Sequence, residues 1–215
     1  MKLYLIRHGQ TDWNVAGKIQ GSTDIPLNDT GRRQAACLAK GMENRPVTRV
    51  FTSTLSRAYE TGLAIGRSQN VPVERLDGLE EVGYGVWEGM TMAQIQEKYP
   101  RELELWYNSP VDVAPPEGES QVQVYERCGR ALDAILTRAE GDVAVVSHGA
   151  TVVFLLEYLL KDTPRDQEDD IIVGNASIST IECDRETGRF WLAQLNDRGH
   201  LEVEESLCPQ TEETD

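Results

Sequence analysis

The chain has 215 residues, 40% of them hydrophobic and 27% charged, a composition that argues against extended disorder and a length that suits one α/β domain with a modest insertion. A net charge of −15 makes nucleic acid and anionic membrane surfaces poor general partners, because the long-range field repels polyanions. No apolar run approaches the ~20 residues of a membrane span, and the N-terminal segment meets Arg7 before an export signal's apolar core forms, so a cytoplasmic location is expected.

In chain order, Leu3 to Ile6 is a short apolar run that reads as a buried strand, followed by a polar turn and a helix-like stretch. A helix is expected from about Thr30, its candidate cap, to Asn44. Arg49 to Thr52 reads as another strand feeding directly into a helix over about Ser53 to Arg67. Between Glu88 and Glu119 the pattern changes: one helical stretch from about Thr91 to Tyr107 gives way to Ser-Pro and then Ala-Pro-Pro-Glu-Gly, a cap inserted over the sheet. A helix over about Ser120 to Glu140 opens with a capping box, Ser120 to Gln123, and Val143 to Val146 reads as a further buried strand. Ser177 to Cys183 and Phe190 to Asn196 flank a turn-rich segment, which predicts an antiparallel hairpin on the sheet edge.

The strand, loop, helix order predicts a doubly wound α/β fold: three α/β/α layers, a mostly parallel central sheet and a small helical cap. One domain is expected over residues 1–201, with the cap at about 88–119 and an acidic C-terminal tail at 202–215. Cys37, Cys128, Cys183 and Cys208 are widely spaced and form no CxxC pair, which disfavours a zinc site and a disulfide scaffold and favours reduced thiols.

Charge is uneven along the chain. Residues 1 to 57 hold nine Lys or Arg against four Asp or Glu, leaving twelve against thirty-two in the remainder. This cationic island suits a small anionic substrate, although a solvated basic surface explains it equally. Of the three histidines, His8 and His148 each stand two residues beyond a predicted strand and just before a glycine, in Ile-Arg-His-Gly and Val-Ser-His-Gly. In a parallel sheet both emerge at the carboxyl edge, where α/β folds place their ligands. Arg7 beside His8 and Arg57 at the start of the following helix are aimed at the same edge, where a helix N-terminus adds attraction for an anion. Two Arg and two His so placed suit a transferring phosphoryl group, whose developing charge needs preorganised cations. His200 reads as a surface residue.

Leu5-Ile-Arg-His-Gly-Gln-Thr-Asp-Trp-Asn14 resembles the nucleophile motif of the histidine phosphatase superfamily, and Gln20 to Leu27 and Gly31 to Ala35 continue that pattern. Thr52 to Thr61, around Arg57, resembles the family's second arginine motif. Glu81-Val-Gly-Tyr-Gly-Val-Trp-Glu-Gly89 resembles its acid motif, and Ser147-His148-Gly149 its second histidine. The resemblance implies a phosphoglycerate mutase-like fold, with His8 as nucleophile, Arg7, Arg57 and His148 as the other members of the phosphate pocket, and Glu81 as proton donor. By the same resemblance Asn14 touches phosphate, and Gln20 and Gly21 lie near the substrate. Glu80 and Glu88 are rivals to Glu81, which is preferred for its spacing from Gly89.

In the implied mechanism neutral His8 attacks phosphorus while Arg7, Arg57 and protonated His148 hold the equatorial oxygens, and Glu81 serves the departing alkoxide and then water. No cofactor and no metal are expected, since the arginines supply the charge. A phosphatase is favoured over a mutase because the insertion offers only Lys98 and Arg101, with no adjacent arginine pair. An α-ribazole phosphatase and a non-enzymatic phospho-ligand binder are the alternatives, and homodimerisation is left open. Met90, Met92, Ile95, Tyr99, Trp106 and Tyr107 suit either an apolar substrate wall or simple packing.

Overall fold

In a computed structural model, which describes residues 1–108, 113–162 and 171–201, the elements run β1 (Lys2–Arg7), α1 (Asp12–Val15), α2 (Asp29–Gly41), β2 (Arg49–Thr52), α3 (Ser56–Gln69) and β3 (Val73–Arg75). A 3-10 turn (Gly85–Trp87) leads into α4 (Met92–Lys98), α5 (Pro100–Asn108), α6 (Gln121–Arg138), β4 (Val143–Ser147), α7 (Gly149–Leu160), β5 (Ile178–Asp184) and β6 (Arg189–Asp197). The strands form one sheet in the order β3-β2-β4-β1-β5-β6. The first four of these are parallel; β5 runs antiparallel to β1, and β6 to β5, as the hairpin at the edge.

The alternation of side chains along each strand builds two cores. Leu3 and Leu5 of β1, with Phe51, Val143 and Val145, pack against Leu132 and Ile135 of α6 and Val152, Leu155 and Leu156 of α7. Tyr4 and Ile6, with Val50, Ala144 and Val146, pack against Leu38 and Met42 under α2 and Ala58 and Ile65 of α3. Both faces are covered, which is why these strands read as continuous apolar runs, and the α/β/α layering follows. Among the described residues no helix is long and apolar enough to cross a membrane.

Several expected boundaries move, each for a local reason. The cap of α2 is Asn28, whose side chain accepts from Gly31 N, and not Thr30. Helix α3 starts at Ser56, because residues 53–55 form the loop that leaves the sheet. The single cap helix is two: Pro100 lacks the N–H to continue α4, Tyr99 turns out of the helical region, and Pro100 becomes the first residue of α5. The apolar residues of the cap divide between packing and exposure. Ile95 is buried in a cluster with Trp87 and Leu103, and Met90, Tyr99 and Trp106 pack on it, while Met92 and Tyr107 are exposed. His200 is half-buried, with Nε2 2.9 Å from the Ala176 carbonyl, so its surface assignment fails as well. The capping box at Ser120 is present as expected. The tail 202–215 with Cys208, and residues 109–112 of the cap, lie outside the described residues.

Candidate active site

Strand register brings the two histidines together. β1 and β4 are parallel with Arg7 opposite Ser147, so the next residue on each strand, His8 and His148, leaves the carboxyl edge side by side. Their ring centroids lie 5.1 Å apart at 60°. The His8 N–H donates to the Ser147 carbonyl (3.0 Å), which extends the ladder by one residue and fixes the start of the turn. Gly9 follows because its position lies against α2, where a Cβ would stand 2.5 Å from the Gly31 carbonyl oxygen.

His8 Nδ1 lies 2.6 Å from the Gly9 carbonyl oxygen, a group that only accepts, so Nδ1 carries the proton and Nε2 keeps its lone pair. Burial, followed by the charges of Arg57 and Arg7, holds the His8 pKa well below its ordinary value. A neutral imidazole with a bare Nε2 is the form a nucleophile needs.

Arg57 Nε donates to His148 Nδ1 (3.2 Å), which leaves Nε2 as the protonated nitrogen, 2.8 Å from Ser53 Oγ. Burial, then His8 and Arg57, push the His148 pKa well below the ordinary value. His148 is therefore neutral here. Two arginines already crowd the site, so a third buried cation is unfavourable unless an anion balances it, and the expected protonated His148 belongs to the phosphate-bound complex.

Arg57 is fully buried, and its fork is braced from the opposite side by the loop at residues 21–23: Nη1 donates to the Thr23 carbonyl and Nη2 to the Gly21 carbonyl, both at 2.8 Å. Glu88 shapes that loop, accepting from the Ser22 N–H and hydroxyl, from the Thr23 N–H and hydroxyl, and from Tyr84 N. Burial opposes its charge, but the bonds from Thr23 and Ser22 prevail and hold Glu88 below the usual carboxylate range. Gly21 has φ +55° and faces Glu88 so closely that a Cβ would lie 2.1 Å from Oε1. Arg7 donates from Nη1 to the Val173 carbonyl (2.6 Å), while its buried Nε has no hydrogen-bond partner among the described residues. Burial lowers the pKa of both arginines, and Glu81 acts against that on each of them, which places its charge on the rim of the same site.

The carboxylate of Glu81 accepts from Val82 N (3.0 Å), Thr151 N (3.1 Å) and Ala150 N (3.3 Å), with Thr151 Oγ1 3.1 Å from Oε1. It thus occupies the first turn of α7, where the unpaired N–H groups and the helix dipole favour an anion. The start of α3 is filled likewise, with Asp24 Oδ1 accepting from the Ser56 N–H and hydroxyl. The helix N-terminus expected to attract phosphate at Arg57 is thus engaged by a carboxylate. The rivals to Glu81 have other work: Glu80 accepts from Thr54 Oγ1 and Gly78 N, both at 2.7 Å, and Glu88 holds the 21–23 loop. All three glutamates nevertheless line one pocket, with Ser22, Gly83, Gly85, Glu117, Gly118, Glu119 and Arg127.

Asn14 caps α1 through Thr11, and its Oδ1 also lies 3.2 Å from Asn175 Nδ2, which donates to the His8 carbonyl at 3.1 Å. Gln20 is buried with Oε1 accepting from Thr11 Oγ1 (3.0 Å). These two residues stand behind the His8 turn, and Gly21 touches Arg57 directly. Sequence reading missed Ser53, Asn175 and Thr151. Ser53 had a signal: it ends β2 as His8 ends β1, one residue beyond a buried strand on the same edge. Asn175 had none, since it precedes an antiparallel strand from a distant part of the chain.

The histidine phosphatase superfamily (branch 1) matches residues 3–198. Phosphoserine phosphatase 1 of Hydrogenobacter thermophilus is 35% identical over 149 residues, 69% of this chain and 71% of that protein. A probable phosphoglycerate mutase GpmB of Proteus mirabilis is 33% identical over 198 residues, 90% of this chain and 88% of that protein. The solved structure of a mycobacterial glucosyl-3-phosphoglycerate phosphatase with VO3 superposes with a TM-score of 0.80 at 30% identity, covering 92% of this chain and 99% of that one. The chain belongs to the histidine phosphatase superfamily, branch 1.

Proposed function

We propose that this chain hydrolyses small-molecule phosphate monoesters through a phosphohistidine on His8. The observation that carries the reading is the Nδ1 contact of His8 with the Gly9 carbonyl, which leaves Nε2 as a neutral nucleophile beside Arg57 and His148. In the first step the Nε2 lone pair forms the N–P bond, the P–O bond to the alcohol breaks, and a proton from Glu81 goes to the departing oxygen. In the second, a water oxygen attacks phosphorus, its proton returns to Glu81, and the N–P electrons return to Nε2. The first step uses the carboxylic acid form of Glu81 and the second its carboxylate.

Arg7 and Arg57 supply the positive charge that a metal would otherwise bring, so we propose a metal-independent reaction. The absence of adjacent arginines in the cap supports hydrolysis over mutase chemistry, because a phosphoglycerate would need cations there for its carboxylate. The buried thiols of Cys128 and Cys183 support a cytoplasmic setting.

Rapid quenching during turnover of a labelled phosphate monoester tests the reading. Acid-labile, base-stable label on His8 is the expected result, unchanged after prolonged chelator treatment. Turnover with no such label, or activity lost to chelator and restored by a divalent metal, would overturn it.

A further inference from the structure

Glu81 stands in a stretch, residues 76–84, that contains neither strand nor helix, so no ladder fixes its backbone. Every carbonyl from Gly78 to Glu81 nevertheless has a donor, and Arg127 of α6 supplies three of the four. Its Nη1 donates to the Gly78 carbonyl (3.0 Å) and the Glu80 carbonyl (2.8 Å), and its Nη2 to the Glu81 carbonyl (3.1 Å). Ser147 Oγ takes the Leu79 carbonyl (2.7 Å), and Thr151 Oγ1 adds a second bond to that of Glu80 (2.6 Å).

The guanidinium is itself fixed. Nε and Nη2 form a two-point pair with the Glu119 carboxylate at 2.9 and 3.0 Å, and Glu119 Oε2 also accepts from Gly83 N (2.8 Å). A planar fork with five donors suits this pattern and a lysine ammonium does not, since one point charge cannot meet a carboxylate and three carbonyls in different directions.

We infer that Arg127, locked by Glu119, is a positioning residue that sets where the Glu81 carboxyl stands relative to the leaving oxygen. The inference rests on the reading of Glu81 as the proton donor proposed above. The carboxylate of Glu81 is held by α7 and its backbone by α6, so the two helices fix the group at both ends. Loss of the Arg127 contacts frees the backbone end, and a displacement of about 1 Å at a proton donor costs up to about 10²-fold in rate.

The test is a double-mutant cycle with Arg127→Lys and Glu81→Gln, read as kcat/KM on an alkyl phosphate and on p-nitrophenyl phosphate, whose leaving group needs little protonation. Arg127→Lys is expected to lose about ten- to a hundredfold on the alkyl substrate and far less on the aryl one. In the Glu81→Gln background the same change should have almost no further effect. Glu119→Gln, which keeps size while weakening the lock, should show the same leaving-group contrast in smaller degree, and it carries the test if Arg127→Lys fails to fold by circular dichroism. An alkyl loss that persists undiminished in Glu81→Gln, or equal losses on both substrates, would overturn the positioning role while leaving Glu81 in place. If Glu81→Gln alone shows no contrast, the proton-donor reading falls first and this inference with it.

Discussion

His8 and His148 stand one residue beyond paired strands, and Arg57 lies in the first turn of a helix, whereas Glu81, near enough for its charge to act on Arg7 and Arg57, lies in irregular chain. The phosphate end takes its geometry from the sheet: once β1 and β4 pair in register, both imidazoles are placed without further instruction. The acid end takes its geometry from groups distant in sequence, the Thr151 N–H of α7 on the Glu81 carboxylate and the Arg127 guanidinium of α6 on the loop carbonyls. Sheet-built geometry depends on an apolar pattern that many sequences satisfy, while loop-built geometry depends on a few particular donors.

The largest effect should follow from breaking the phosphate end. His8→Ala removes the atom that forms the covalent bond, and kcat should fall on the order of 10⁴–10⁶-fold, the scale seen when a covalent nucleophile is removed. Steady-state hydrolysis of p-nitrophenyl phosphate reads this directly. Residual activity within tenfold of the wild type would mean that the phosphoryl group does not pass through His8.

Breaking the acid end should cost less and depend on the substrate. Glu81→Gln is expected to lower kcat/KM for an alkyl phosphate by ~10²–10⁴-fold and that for p-nitrophenyl phosphate much less. Glu80→Gln and Glu88→Gln should not show that contrast, because of the three only Glu81 stands near enough for its charge to act on both Arg7 and Arg57. The same contrast in either variant would move the role to that neighbour.

The same division governs what was legible in the sequence. The apolar runs and their two-residue offset to His8 and His148 were enough to find the sheet edge, the hairpin and the pairing of the histidines. Motif spacing singled out Glu81, but only the structure shows why Glu80 and Glu88 are different, since their partners lie 26 and about 66 residues away. The cap misled for a related reason: aromatic and aliphatic residues at helical spacing fit a wall or a core alike, and Pro100 decides that two short helices close on Trp87. The tautomer of His148 was not legible at all, because it depends on which nitrogen Arg57 meets.

A smaller effect separates the loop that braces Arg57 from an otherwise similar turn. Gly21 and Gly17 both have positive φ, +55° and +62°, but a Cβ at Gly21 would collide with Glu88 and one at Gly17 would meet nothing within 4 Å. Gly21→Ala should cost about 1–3 kcal/mol of stability and raise KM roughly tenfold or more by loosening the carbonyls that orient Arg57. Gly17→Ala should cost about 1 kcal/mol with KM unchanged. Equal KM values for the two variants would show that the loop does not orient Arg57 for substrate.

The buried imidazoles of the phosphate end should also show along the pH axis. His8 and His148 have folded-state pKa values well below the ordinary 6.5, so between those values and 6.5 the unfolded chain binds protons that the folded chain refuses. Folding stability therefore rises with pH across that window and falls as pH drops below 6.5, by at most about 1.4 kcal/mol per pH unit for each imidazole. Glu88, which shapes the loop that braces Arg57, has the same proton preference at lower pH: its pKa is held below its ordinary 4.5, so its contribution is fully present above 4.5 and is lost only as pH falls further. Urea unfolding between about pH 7.5 and pH 5 should consequently report the histidines, with His200 adding a part of the same sign because burial lowers its pKa too. Replacing His8 and His148 by asparagine should reduce the slope there to the part His200 contributes and leave the loss below about pH 4.5 in place. A double variant that keeps the wild-type slope between pH 7.5 and pH 5 would mean that the two imidazoles are not held neutral by burial and by Arg57, and the nucleophile would then need another source of its free lone pair.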